Sequence, residues 1–122
     1  GRVLVVEDNP VNGMEIEALL TQLGLDMTLV TDGQQAVDAI TRGEPANVIL
    51  MDIQMPVMDG YTATELIRKW ESKQTHPQTP IIALTADAFE EDRQRCFAVG
   101  MDDFLTKPIA LDTLKVALGK WL

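Results

Sequence analysis

A chain of 122 residues with 46% hydrophobic and 24% charged side chains has the make-up of one ordinary globular domain, without low-complexity tracts or internal repeats. Its net charge of −9 argues against a surface built to neutralise nucleic-acid phosphates, and no apolar run nears the ~20 residues of a membrane helix. A lone cysteine, Cys96, rules out an internal disulfide or a thiolate metal cluster, and is expected to be a small core residue.

The chain opens directly into an apolar, β-branched run, RVLVVED, without the parts of a signal peptide, and reads as a strand covered on both faces. Asn9 followed by Pro10 is an N-cap with proline at the first helical position, and Ile16, Leu19, Leu20 and Leu23 then recur at helical spacing up to Gly24. MTLVTD is a weaker strand, followed by a helix carrying Ala36, Val37 and Ile40 that should end at Gly43. NVILMD is the second strong strand. The MPVMDG that follows forbids immediate helix, because Met55-Pro56 breaks it and Asp59-Gly60 is a turn signal. The third helix has its stripe at Ala63, Leu66, Ile67 and Trp70, and the polar SKQTHPQTP after it makes His76 a surface loop residue. PIIALTA is a strand; Asp87 and Glu90 then have capping-box spacing before a stripe of Phe89, Arg93, Cys96 and Phe97, which Arg93 interrupts, and Gly100 ends that helix. DDFLTK and a helix with Leu111, Leu114, Leu118 and Trp121 complete the chain. Strict alternation of strand and helix gives a (βα)5 fold, an α/β doubly wound five-stranded parallel sheet of flavodoxin-like type with strand order 2-1-3-4-5.

In such a sheet, ligands bind outside the carboxyl ends of the strands, where the strand order reverses between the first and third. The strands end in Glu7 and Asp8, in Asp52, in Thr85 and in Lys107, so four of the five bring an ionisable or hydroxyl group to one rim. Three carboxylates held together repel one another unless a cation shares the site. A magnesium (or manganese) ion satisfies this set, with Asp8 and Asp52 as direct ligands, Glu7 acting through water and the Gln54 backbone carbonyl turned back from the loop. With Lys107 and the Thr85 hydroxyl beside it, Asp52 is then arranged to receive a phosphoryl group.

VLVVEDNPVN, VILMDIQMPVMDG, IIALTADA and GMDDFLTKPI together resemble the receiver (CheY-like) domain of two-component response regulators, over essentially the whole chain. The resemblance implies that Asp52 is the phosphoacceptor, Asp8 the metal-binding acid with Glu7 as its outer partner, and Gln54 the carbonyl donor. It makes Thr85 the switch hydroxyl, Phe104 the switch aromatic, Lys107 the lysine of the phosphorylation site and Ala86 the small residue beside it. Gln54 and Asp87 would flank the phosphoryl group and tune its hydrolysis, and Lys107-Pro108 would be a cis peptide bond. The phrasing is most similar to receivers of hybrid sensor histidine kinases. That implies a phosphohistidine on a kinase dimerisation domain as donor, and a histidine phosphotransfer domain as onward acceptor. It further implies docking near Val11 and Met14. The acidic balance and the lack of a membrane-length run or signal peptide lead us to expect no direct contact with nucleic acid or membrane and a cytoplasmic place, including the cytoplasmic part of a membrane-bound kinase. The absence of an initiator methionine and of any tail after Leu122 leads us to expect one receiver domain, residues 1–122, cut from a longer multidomain chain. A stand-alone or effector-linked response regulator is the alternative. An aspartate-nucleophile phosphatase wants an acid where Gln54 stands, a flavin carrier would meet Glu7 and Asp8 in its phosphate loop, and a degenerate receiver would lack part of the acceptor site.

Overall fold

A computed structural model describes residues 1–86 and 89–122. Five strands and five helices alternate: β1 (Arg2–Val6), α1 (Pro10–Gln22), β2 (Asp26–Val30), α2 (Gly33–Thr41), β3 (Val48–Asp52), α3 (Gly60–Lys73), β4 (Ile81–Thr85), α4 (Glu90–Ala98), β5 (Asp103–Thr106) and α5 (Leu111–Trp121). The strands form one parallel sheet in the order β2-β1-β3-β4-β5. This is the expected doubly wound sheet, with the order reversing between β1 and β3.

The two-residue period of the strands divides the core into two layers. Leu4, Val6, Ile49, Met51, Ile81 and Ala83 point to one face and pack with Ala36, Ile40, Ala63, Ile67 and Cys96 of α2, α3 and α4. Val3, Val5, Val48, Leu50, Ile82 and Leu84 point to the other and pack with Ile16, Leu20, Leu114 and Leu118 of α1 and α5. Because β1, β3 and β4 are buried on both faces, their sequences are continuously apolar rather than alternating.

Several local expectations match the structure. The Asn9 side chain accepts hydrogen bonds from the backbone N–H groups of Val11 and Asn12 at 2.9 and 3.2 Å, with Pro10 opening α1. Gly24, Gly43 and Gly100 all have positive φ at the ends of α1, α2 and α4. Cys96 is buried, His76 is exposed, and Lys107-Pro108 is cis.

Other expectations need correction. Leu66 and Phe97, assigned to apolar stripes, are 37% and 48% exposed, and Phe89 is exposed as well. The buried line of α3 runs instead through Tyr61, Ala63, Thr64, Ile67 and Glu71. The proposed cap at Asp87 lies outside the described residues; α4 begins at Glu90, preceded by Phe89, which makes no side-chain cap.

Candidate functional site

The carboxyl ends of β1 and β3 meet at the reversal point, and the side chain of Lys107, just beyond β5, reaches it from the far side of β4. β1 stops at Val6 and hands the chain to Glu7, which is buried, and Asp8, which is exposed. β3 carries its pairing through Asp52, opposite Leu84, so the carboxylate is fixed by sheet register and only 4% exposed. Gly60 at the start of α3 lies against this strand end: a Cβ there would overlap the Asp52 carbonyl oxygen and come 2.9 Å from Ile53 Cα. Glycine is therefore required for α3 to begin so close to the acid.

The loop between Asp52 and Gly60 is held in a tight, strained form. The Met58 N–H donates to the Pro56 carbonyl at 2.7 Å, closing a γ-turn around Val57, whose φ is +68°. That conformation is rare for a β-branched residue. The Gln54 N–H turns back and donates to Asp52 Oδ1 at 3.1 Å.

Glu7, Asp8 and Asp52 each offer a carboxylate oxygen, and these oxygens lie within 4.8 Å of one another. They line a cleft of about 170 Å³ together with Asn9, Asn12, Ile53, Gln54, Ala86 and Lys107. The Lys107 Nζ lies 2.8 Å from Glu7 Oε2 and 3.2 Å from Asp52 Oδ2, bridging two of the three acids. Glu7 also accepts the Asn9 N–H through Oε1 at 3.1 Å, so β1 and the α1 cap are tied to the same carboxylate.

These neighbours set the ionisation of the site. Burial, augmented by the Glu7 charge, pushes the Asp52 carboxyl up to about 6, against the opposing pull of the Gln54 N–H and Lys107. For Lys107 burial acts against the charge, but hydrogen bonds and attraction to Glu7 and Asp52 outweigh it and raise its pKa. The donor set suits a hard divalent cation: oxygen ligands only, an excess of negative charge, and one acid, Asp8, on the solvent side.

A family model described as the response regulator receiver domain matches residues 3–119. The chain belongs to this family. Among relatives of this receiver domain, the sensor protein GacS of Pseudomonas syringae pv. syringae is 43% identical over 120 residues, 98% of the chain, which spans only 13% of that protein's length. The receiver domain of sensor histidine kinase PA1611 from Pseudomonas aeruginosa PAO1, whose crystal structure has a magnesium ion coordinated in the active site cleft, is 47% identical with a TM-score of 0.87. That alignment covers 98% of this chain and 95% of the other. The co-crystal structure of the Saccharomyces cerevisiae histidine phosphotransfer protein Ypd1 with the receiver domain of Ssk1 matches at TM-score 0.92 and 31% identity, over 98% of this chain and 87% of that one. The receiver domain thus has its relatives among hybrid sensor histidine kinases and in a phosphorelay complex.

Sequence reasoning named Glu7, Asp8, Asp52, Gln54, Ala86 and Lys107, and all of them line one cleft. Thr85 ends β4 beside it and is buried; Phe104 sits half-buried on β5; Asp87 lies outside the described residues. The double role of Glu7, as an acid of the cleft and as an ion-pair partner of Lys107, was not foreseen. Nor was Asn12 as part of the cleft wall, although its place in the first turn of α1, just after the strand-end acids, was a usable signal.

Proposed function

We propose that Asp52 is the phosphoacceptor of a phosphorelay and that the chain is a single receiver domain of a longer hybrid sensor histidine kinase. The observation that carries this reading is a buried strand-end carboxylate bridged by Lys107 to a second acid, on a cleft shared with Asp8. Asp8, Asp52 and the Gln54 carbonyl would hold magnesium, with Glu7 acting through water; manganese offers the same hard octahedral preference. Bound there, the cation supplies charge neutralisation for the phosphoryl oxygens.

In the reaction, an Asp52 oxygen forms a bond to phosphorus as the P–N bond of a phosphohistidine breaks, and the imidazole leaves with the electron pair. Lys107, already within reach of Asp52, follows the developing negative charge, and the Thr85 hydroxyl donates to it. Charge-assisted hydrogen bonds of this kind contribute about 1.5–3 kcal/mol each, against about 5.5 kcal/mol needed to take a two-state equilibrium from 1:99 to 99:1. Thr85 moves toward the phosphoryl group, Phe104 turns inward, and the face formed by α4, β5 and α5 is remodelled. Ala86 leaves room for this beside the cleft, and Gln54 and Asp87 tune hydrolysis.

The donor is a phosphohistidine on a kinase dimerisation domain, and the onward acceptor is a histidine phosphotransfer domain. Both reach Asp52 across α1, where Val11 and Met14 are 61% and 70% exposed. Such chemistry belongs to the cytoplasm; among the described residues no helix is long and apolar enough to cross a membrane.

The test is incubation with acetyl phosphate or phosphoramidate and magnesium, read by intact mass. A single phosphoryl adduct in the parent, absent in Asp52→Asn, is expected. No adduct with either magnesium or manganese would overturn the assignment.

A further inference from the structure

Arg93 stood out in the sequence because it interrupts an otherwise apolar stripe, and the structure gives it a specific partner. Its guanidinium carbon lies 4.7 Å from the centroid of the Phe104 ring, across the gap between α4 and β5. The same guanidinium is 3.6 Å from the Glu90 carboxylate one turn back on α4, which steadies it over the ring. A guanidinium within ~6 Å of an aromatic face is attracted by the ring quadrupole, by an amount that depends on how far water is excluded. The Arg93 side chain is 45% exposed, so the attraction is of the modest, surface kind.

The contact exists with Phe104 half-buried, packed on the edge of the core layer that faces α2, α3 and α4. Turning the ring inward takes it away from a cation that is held on α4 by Glu90. An interaction made in one conformation and lost in the other biases the equilibrium by its full strength.

We infer that Arg93 is a positioning residue for the switch aromatic: its guanidinium holds Phe104 in the resting arrangement and so sets how readily phosphorylation switches the domain. This rests on the reading that Asp52 is phosphorylated and that Phe104 turns inward in response. Arg93 does not line the cleft of Glu7, Asp8 and Asp52, and acts only through the ring.

The test measures the apparent affinity for beryllofluoride with saturating magnesium, on the whole domain. Arg93→Met keeps an unbranched stem and removes the charge; it should tighten binding about two- to fivefold, the range that a surface cation–π contact corresponds to. Arg93→Lys, which retains a cation, should stay closer to the parent. In a Phe104→Leu background the Arg93→Met change should have no further effect, which separates loss of the ring contact from a general loosening of α4. The chain has three phenylalanines, so fluorophenylalanine labelling gives three signals. In Arg93→Met the Phe104 signal of the unliganded protein should move toward its beryllofluoride-bound position. An affinity unchanged in Arg93→Met, or a change that persists in Phe104→Leu, overturns the inference while leaving the phosphoacceptor reading intact. Failure of the parent to bind beryllofluoride overturns both.

Discussion

Asp52 carries a thermodynamic penalty of the kind that the proposed phosphoacceptor role would explain. Burial raises its carboxyl from 3.8 to about 6, so the folded protein takes up a proton at a pH where the unfolded chain has lost it. The sign follows from linkage. Between roughly pH 4 and 6 the folded state binds the extra proton, so the contribution of Asp52 to stability falls as pH rises through that window and stays unfavourable above it. The gap between the two values corresponds to about 3 kcal/mol at pH 7, at one side chain. Asp52→Asn should therefore stabilise the metal-free domain by about 1–3 kcal/mol at pH 7.5 and by little at pH 4.5, as read by urea unfolding without divalent cations. Equal effects at both pH values would mean that the carboxylate is not penalised by its surroundings. A group kept under such pressure in the resting state is poised to gain from a cation or a phosphoryl group.

At the scale of elements, what could be read from the sequence was what local pattern dictates. β1, β3 and β4 announced themselves as short apolar runs, and Asn9-Pro10, Gly24, Gly43 and Gly100 fixed helix ends because capping and left-handed turns depend on neighbouring residues alone. The acids and the lysine of the site were legible for the same reason: each sits at a strand end, and the strand order brings those ends together. The errors arose where partners are distant in sequence. Glu71 is polar yet 99% buried because the Arg68 guanidinium is 2.8 Å away and the Thr79 N–H donates to its other oxygen at 2.7 Å. Arg68 also donates to the Gly100 and Thr79 carbonyls and to Asp102, which ties α3 to the starts of both β4 and β5. With Thr64 and Glu71 on the inside, the buried face of α3 is rotated away from Leu66, and counting apolar residues alone misplaces it. Arg68→Met would leave two carboxylates without their counter-charge, holding only the Thr79 and Ile81 N–H groups, and should destabilise by about 3 kcal/mol in thermal or urea unfolding, with Glu71→Gln in the same chain restoring part of the loss. Val57 offers the opposite case. Exposed and held at φ +68°, it gains nothing from its side chain, and Val57→Gly should raise stability by roughly 1 kcal/mol through relief of the γ-turn. No gain, or a loss, would show that the turn is not strained by its side chain.

Across the whole molecule, the two ends of the sheet are built to opposite electrostatic plans. At the amino end of β4 and β5, Arg68 meets its acids with hydrogen bonds in place and little need of solvent. At the carboxyl end, one lysine stands between Glu7 and Asp52 with Asp8 beside them, so the cleft remains net negative in a chain of net charge −9. Such an end should be stabilised by whatever cation binds it, because a ligand that binds only the folded state adds RT ln(1 + [L]/Kd), about 2.7 kcal/mol at a hundredfold excess over Kd. Magnesium titrated into the parent should raise its melting temperature by several degrees and tend toward the logarithmic dependence of a single site. Asp8→Asn should lose most of that rise while melting near the parent without magnesium, since Asp8 is exposed and makes no ion pair among the described residues. Sodium chloride at equal ionic strength separates binding from screening, because general screening acts on all surface charges and does not depend on Asp8. A rise of the same size with sodium, or one that survives in Asp8→Asn, would mean that the acids of the rim repel one another without forming a site. A rise confined to the divalent ion and to the intact rim would tie the charge imbalance of the fold directly to the cation that the proposed phosphoryl transfer calls for.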